Sequence, residues 1–267
     1  MIKILKKIIY VYFPILGRLY GALSNKKGHY HYSGWGMTTT SSFPPWKNII
    51  NDKKNVHNIF LKIHNNLKKK IKEGKFRTSY DEFKDLKKHF QRLYFLKWRY
   101  YIVFISALYA SNYTKSKKKN LVECGVGDGY SAFYATNALK IKNISFNCFL
   151  YDSWGAMKAK HYSTKEIASG HDQKKFSFLD FDLIKNNFKD EKNINFIKGY
   201  IPEIFNRGKH PKKISWLSID LNAAKPTIAA LKFFYNKLEK NGIILLDDYG
   251  GSNYIDTKKA VDLFFKN

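Results

Sequence analysis

The chain has few cysteines, few prolines and few arginines among its 267 residues. Its two cysteines, Cys124 and Cys148, stand in apolar segments, where a free thiol behaves as a small apolar residue. Their spacing fits neither a disulfide framework nor a cysteine-based zinc site. We therefore expect two free thiols, which suit a reducing, cytoplasmic setting.

Acidic residues are also scarce, because 21 Asp and Glu stand against 48 Lys and Arg, and the formal net charge is +27. Such a charge first suggests nucleic acid as the partner. Only five of the basic residues are arginine, the side chain favoured for phosphate forks and base edges. The scattered lysines indicate a solvated surface, so nucleic acid is not the expected partner.

The N-terminal segment, residues 2–23, mixes lysines with apolar residues, and Pro14 and Gly17 interrupt an apolar run that is too short to span a membrane. This pattern favours a basic amphipathic helix on anionic headgroups, although a signal peptide has the same order of basic and apolar residues. Glycine, aromatic residues and proline follow in residues 33–46, a mixture that excludes regular secondary structure. We group residues 1–46 as one N-terminal segment.

Residues 47–118 are predicted to be helical. The apolar stripe of Asn58 to Lys72, a helix opened by Ser79 with acids in its first turn, and the apolar stretch Phe95 to Ala110 support this prediction. These helices either cap a binding site and shape an acceptor pocket, or only complete the core.

Strands and helices alternate in residues 119–267, which is typical of a parallel sheet covered on both faces. The predicted fold class is α/β, a Rossmann-like doubly wound, mainly parallel sheet with a helical N-terminal extension. The predicted strands are Asn120 to Cys124, Phe146 to Tyr151, Ile194 to Lys198, Ile214 to Asp220 and Ile243 to Asp247. The predicted helical stretches are Tyr130 to Lys140, Lys165 to Asn187, Pro226 to Lys240 and Asp256 to Lys266.

A glycine loop follows the first predicted strand, where Glu123 precedes Gly125, Gly127 and Gly129, and Asp128 stands within the loop. Glycines allow a backbone to turn sharply and to approach a ligand closely. The third glycine comes one residue too early for the dinucleotide fingerprint. Either the loop binds another cofactor, or the glycines mark an ordinary strand-to-helix turn.

The loop resembles the first motif, Glu-x-Gly-x-Gly-x-Gly, of class I S-adenosylmethionine-dependent methyltransferases. The resemblance implies that the glycine loop, with Asp128, binds S-adenosyl-L-methionine and that Glu123 faces its methionine end. Asp152 ends the next predicted strand, where an acid can accept both ribose hydroxyls, and Ser153 follows it. Asp152 and Ser153 would serve equally well as a helix cap or turn.

Three more carboxylates, Asp220, Asp247 and Asp248, end two later predicted strands. Parallel strands bring these acids to one edge of the sheet, where like charges repel unless a cation or protons compensate. Oxygen ligands without cysteine or histidine favour Mg²⁺.

From Leu121 to Phe265 the chain resembles the macrocin O-methyltransferase family, through its glycine loop, Asp220-Leu-Asn222 and Asp247-Asp248-Tyr. The resemblance implies metal-dependent methylation of sugar hydroxyls, with Asp220, Asp247 and Asp248 as Mg²⁺ ligands. Many members carry a second aspartate, the general base proposed in some relatives, where this chain has Asn222. Either Asn222 only orients the substrate and another group is the base, for which His161 and His171 are the candidates, or the chain uses metal activation alone.

We predict a cytoplasmic, S-adenosylmethionine-dependent, Mg²⁺-assisted O-methyltransferase. Its acceptor is a sugar hydroxyl on a glycan, nucleotide sugar or glycolipid. Residues 2–23 would bring the protein into peripheral contact with the inner face of the membrane. Two alternatives stay open: an RNA methyltransferase, and an inactive membrane-associated protein with the same fold. The two closing strands of class I methyltransferases are missing, so the last strand becomes a sheet edge. A truncated product would leave that edge bare, and a partner subunit of a homo-oligomer would cover it.

Overall fold

The computed structural model describes residues 30–31, 40–41, 53–168, 176–208, 210–250 and 254–266. The predicted basic segment at 2–23, nearly all of residues 33–46 and His171 lie outside the described residues. Ahead of the main fold, Tyr30–His31 pairs with Thr40–Ser41 as a short antiparallel ladder, so the prediction that residues 33–46 hold no regular secondary structure was wrong at Thr40–Ser41.

Five parallel strands form one sheet, in the order β3-β2-β1-β4-β5. The strand order reverses between β1 and β4, which is the place where doubly wound sheets bind ligands at the carboxyl ends of their strands. The Rossmann-like α/β prediction is therefore confirmed. The strands are β1 (Lys119–Cys124), β2 (Phe146–Asp152), β3 (Ile194–Lys198), β4 (Ile214–Ile219) and β5 (Leu238–Leu246).

Helices cover both faces of the sheet. Because side chains alternate along a strand, Leu121 packs into the core on one face and its neighbour Val122 into the core on the other. The helices are α1 (Lys53–Lys72), α2 (Leu86–Phe95), α3 (Lys97–Tyr113), α4 (Tyr130–Lys140), α5 (Thr164–Ala168), α6 (Phe181–Asn187), α7 (Ala224–Phe234) and α8 (Ile255–Lys266).

Helices α1 and α3 share one hydrophobic core with α4 and β1. Phe60 of α1, Phe104 of α3 and Tyr134 of α4 meet there as packed aromatic rings. Helices α2 and α3 also send side chains to the cleft at the carboxyl ends of the strands. The helical first half thus completes the core and lines the cleft at the same time.

Several predicted boundaries differ from the structure, among them the start of α1 and both ends of α7, and three of the differences have a local reason. Asp85 caps α2 by accepting from the backbone N–H of Lys88, whereas Ser79 opens no α-helix. In the described part of the stretch Lys165 to Asn187, helix α6 is separate from α5, because Asp180 caps it and accepts from the backbone N–H groups of residues 182 and 183.

The third wrong boundary lies before the last strand. Strand β5 begins at Leu238, five residues before the predicted start, because Leu238 already pairs with Ile214. A shift in pairing register then accommodates Asn241, whose φ is 67°. In the described part of the chain, no helix combines the length and the apolar character that crossing a membrane requires.

Candidate functional site

A cleft of about 970 Å³, its open mouth included, lies at the carboxyl ends of the strands. The glycine loop after β1, Asp152 at the end of β2 and Asp220 after β4 all contribute to it. Side chains from the helical first half and from later loops complete the walls, among them Tyr80, Arg92, Arg99, Tyr100, His161 and Asn222.

The three glycines of the loop are required for different reasons. All three have positive φ, and a Cβ on Gly125 would lie 1.7 Å from the carbonyl oxygen of Asp220. A Cβ on Gly129 would lie 2.4 Å from the side chain of Ile184. A Cβ on Gly127 would meet nothing within 4 Å. Gly125 and Gly129 therefore serve packing within the protein, and only Gly127 leaves open space.

Glu123 is buried beneath the loop with 3% of its surface exposed. Its Oε2 atom has no hydrogen-bond partner within the described residues. Burial raises the pKa of this carboxyl well above its usual range, and Asp220 adds to the rise, whereas Arg99 opposes it. An unpartnered carboxylate oxygen in a ligand cleft suits a cationic or hydrogen-bond-donating group of a ligand.

Asp152 is tied to the glycine loop. Its Oδ2 accepts from the backbone N–H of Val126 at 2.6 Å and of Gly127 at 3.0 Å, and its Oδ1 accepts from the backbone N–H of Trp154 at 2.7 Å. Burial raises the pKa of the carboxyl, and these three amides oppose that rise. Since a carboxylate offers about four acceptor positions, one is left for a ligand.

The other two predicted cofactor residues form hydrogen bonds within the protein. Asp128 accepts from the Thr78 hydroxyl at 2.6 Å and from the backbone N–H of Ser79 at 3.0 Å, which joins the glycine loop to the segment before α2. Ser153 donates to the carbonyl oxygen of Gly155. Asp128 thus fixes the position of a segment that the sequence pattern had not connected with the loop.

Arg99 bridges the acids at the ends of β4 and β5. This side chain, which α3 supplies and which is 23% exposed, places Nη2 at 2.6 Å from Asp220 and Nε at 2.9 Å from Asp247. The guanidinium therefore neutralises part of the charge that the strand ends bring together. No sequence motif predicts Arg99 as a site residue.

Asp247 and Asp248 retain protons more readily than ordinary carboxyls. Burial raises the pKa of Asp247 to about 7, an effect that Arg99 opposes and Asp220 reinforces. Burial also raises the pKa of Asp248 well above its usual range, and the two neighbouring acids add to that rise. A bound cation would favour the charged forms of both groups.

The same acids fit a divalent cation. Asp220, Asp247 and Asp248 each offer an oxygen, and these three oxygens lie within 4.8 Å of one another. Arg99 contacts one oxygen of Asp220 and one of Asp247, so each of these two carboxylates keeps a second oxygen. Oxygen-only donors in a small cluster suit Mg²⁺, which binds few protein carboxylates and keeps several waters.

Asn222 is held in place by its neighbours. Its amide Nδ2 donates to Asp220 at 3.1 Å, its Oδ1 accepts from the Tyr254 hydroxyl at 2.7 Å, and its backbone N–H donates to Asp248 at 2.7 Å. With φ at 56°, the residue adopts the left-handed conformation that asparagine tolerates. An amide cannot accept a proton at neutral pH, so Asn222 orients groups rather than acting as a base.

His161 lines the cleft and is 5% exposed. Its Nε2 lies 3.4 Å from a carboxylate oxygen of Glu203. Burial lowers the pKa of the imidazole, although Glu203 opposes that effect. A histidine that is neutral at pH 7 can take up a proton.

The two arginines of the cleft belong to no sequence motif and were therefore not predicted as site residues. Arg92 and Arg99 lie on α2 and α3, more than 100 residues before the acids of β4 and β5. One sequence feature could have indicated them. Arginine is scarce in this lysine-rich chain, yet two of its five arginines lie only seven residues apart.

Comparison with known proteins supports the fold and identifies a family. The sequence model of the family described as Macrocin-O-methyltransferase (TylF) matches residues 102–267. No curated protein matches the chain by sequence. The structure of the O-methyltransferase NovP is 18% identical and has a TM-score of 0.53, covering 63% of this chain and 71% of NovP.

A second similar structure is that of the calicheamicin methyltransferase CalS11. It is 13% identical and has a TM-score of 0.47, covering 84% of this chain and 90% of CalS11. The likeness to NovP concerns the fold, which agrees with the strand order described above.

The loop glycines should differ sharply in their tolerance of alanine. Gly125→Ala is expected to destabilise the protein by roughly 3 kcal/mol or more, because the new Cβ would meet a backbone carbonyl and the φ is unfavourable. Gly127→Ala should cost only about 1 kcal/mol, since its Cβ would enter open space. Urea unfolding of both variants measures the difference. Equal losses would contradict the packing role assigned to Gly125.

Loss of the Arg99 guanidinium should lower the free energy of unfolding. Arg99→Met leaves the acids of β4 and β5 without their guanidinium, and breaking such a pair typically costs about 3 kcal/mol. Arg77→Met is the matched control, because the Arg77 side chain is exposed and the residue's hydrogen bonds come from its backbone. Denaturant unfolding without divalent cations should separate the two variants. If they are equally stable, the bridge contributes nothing to stability.

Proposed function

The chain belongs to the macrocin-O-methyltransferase family, and from this premise we propose that it methylates a sugar hydroxyl with S-adenosylmethionine in a Mg²⁺-assisted reaction. The observation that carries the proposal is one shared edge of the sheet. There the unpartnered Oε2 atom of Glu123 and the glycine loop adjoin the Asp220, Asp247 and Asp248 cluster. A donor site and an acceptor site can thus lie side by side.

In this proposal the donor lies over the glycine loop. Glu123 faces the ammonium group of the cofactor with its free Oε2, and Asp152 offers its remaining acceptor position to the ribose hydroxyls. Gly127 leaves room for close approach. When bound, S-adenosylmethionine supplies an electrophilic methyl group on sulfur.

Asp220, Asp247 and Asp248 would hold the metal. A Mg²⁺ ion at these oxygens would supply Lewis-acid chemistry, lowering the pKa of an acceptor hydroxyl. Arg99 keeps Asp220 and Asp247 in place and limits the repulsion between them. Asn222, fixed by Asp220 and Tyr254, orients the acceptor next to the cluster.

His161 is the proposed general base. The bound cofactor would supply the methyl group that the acceptor oxygen receives, and the imidazole of His161 would take up the proton that the hydroxyl loses. Glu203 lies beside Nε2 and would stabilise the resulting imidazolium. The walls of the cleft align the reacting atoms, and positioning supplies much of the rate enhancement.

The proposed acceptor class, a sugar hydroxyl, rests on the family to which the chain belongs. A nucleotide sugar, a glycan or a glycolipid would all present such a hydroxyl. Three parts of the proposal rest on sequence alone. They are a cytoplasmic location at the inner face of the membrane, membrane contact through residues 2–23, and a homo-oligomer that covers the β5 edge of the sheet.

Methyl transfer from labelled S-adenosylmethionine to a panel of sugar nucleotides and glycolipids tests the proposal. We expect transfer to at least one acceptor, loss of transfer with a chelator and recovery with Mg²⁺. Asp247→Asn should lower the rate on the order of 10²-fold or more, since metal assistance is worth several kcal/mol. Asp182→Asn, which changes an exposed acid outside the cleft, is the control.

Two outcomes would contradict separate parts of this proposal. Absence of S-adenosylmethionine binding in calorimetry would exclude the donor. Full activity of Asp247→Asn in the presence of the chelator would exclude the metal.

The base assignment predicts a specific kinetic change. His161→Gln should lower kcat by ~10²- to 10⁴-fold while leaving the affinity for S-adenosylmethionine unchanged. Because the base must be neutral and burial lowers the pKa of His161 below 6.5, the wild-type rate should rise with pH through a value below 6.5. The variant should lose this rise. A pH-rate profile that is identical in both proteins would assign the proton to another group.

A further inference from the structure

Helix α2 places a guanidinium in the wall of the cleft with one nitrogen unpaired. Nη1 of Arg92 is buried and has no hydrogen-bond partner within the described residues. The guanidinium carbon lies 4.4 Å from the ring centre of Tyr80, 4.5 Å from that of Phe83 and 5.5 Å from that of Tyr130. Aromatic faces hold the cation by cation–π attraction, which leaves the Nη1 donor available to a ligand.

A buried charged donor without an acceptor is costly, so its presence points to a ligand. Across the described residues, no carboxylate lies within 4.0 Å of Arg92, whereas Arg99 is paired with two acids. The planar fork of an arginine matches a carboxylate or a phosphate. Arg92 is therefore the arginine of the cleft that is ready to bind an anion.

The cleft also contains an acceptor of opposite charge, the Oε2 atom of Glu123, which has no hydrogen-bond partner within the described residues. Glu123 precedes the glycine loop, and Arg92 lies against Tyr130, the residue that follows the loop. One unpartnered carboxylate oxygen and one unpartnered guanidinium nitrogen thus flank the same loop. An α-amino acid end carries one ammonium and one carboxylate, and it would satisfy both groups at once.

We propose that Arg92 binds the carboxylate of the methionine end of S-adenosylmethionine while Glu123 faces its ammonium. This inference rests on the proposed function and adds a recognition residue from the helical first half of the chain.

The glycine loop also helps to hold the Arg92 side chain in position. Asp128 accepts from Thr78 and Ser79 and so anchors the residue that follows them, Tyr80, whose ring packs on the guanidinium. The role of Asp128 in this scheme is indirect. It positions the aromatic ring against which Arg92 is held.

Calorimetry with two ligands tests the inference. S-adenosylmethionine carries the carboxylate, and its decarboxylated analogue keeps the amine and the methyl sulfonium but lacks the carboxylate. Arg92→Met should weaken binding of S-adenosylmethionine by about 10- to 100-fold, as expected for the loss of a charge-assisted hydrogen bond. Binding of the decarboxylated analogue should not change. Glu123→Gln should weaken binding of both ligands.

Two further variants make the test specific. Lys87→Met removes one positive charge from the exposed surface of the same helix and should leave both affinities at wild-type values. Arg92→Lys keeps the charge but lacks the planar fork, so it should bind S-adenosylmethionine with intermediate affinity. Thermal melting of each variant identifies any that fails to fold.

Three results would count against this inference. If Arg92→Met weakens both ligands equally, Arg92 only shapes the cleft. If it binds S-adenosylmethionine as well as the wild type but has a raised KM for an anionic acceptor, the guanidinium serves the acceptor. If the wild type binds neither ligand, the proposed function itself fails.

Discussion

The bridge from Arg99 to Asp220 and Asp247 is the interaction on which the rest of the site depends. Two strands bring acids to one edge, and without a cation their repulsion would oppose the sheet register that aligns them. The arginine comes from α3, whose adjoining residues Tyr100 and Phe104 are buried in the core. Packing of a helix far from the strands in sequence therefore sets the electrostatics of the cleft. The same core packing holds Tyr100 in the cleft wall.

Much of the fold could be predicted because its signals are local. Strand β3 and helix α4 have the predicted boundaries, since each is a short segment with its own apolar pattern. The clustering of Asp220, Asp247 and Asp248 followed from one general rule, that parallel strands end at the same edge. Such rules need no knowledge of how distant segments pack.

The remaining features depend on contacts between distant residues. Gly125 looked like a ligand contact, yet its missing Cβ makes room for the carbonyl of Asp220, 95 positions later. Asp128 looked like a cofactor residue, yet its partners, Thr78 and Ser79, come about 50 positions earlier. Arg92 has no motif at all. A sequence pattern shows which side chains are present near a loop, but tertiary packing decides which of them turn towards it.

The close approach of Gly125 to Asp220 has a consequence for how such a protein could change its substrate. The backbone of the loop after β1 lies against the backbone of the residue that follows β4, at a spacing that only a glycine at position 125 permits. Under the proposed function, helices and loops around the mouth could vary to admit new acceptors while this spacing stays fixed. A single backbone contact would then separate the chemistry, which is held constant, from the specificity, which is free to diverge.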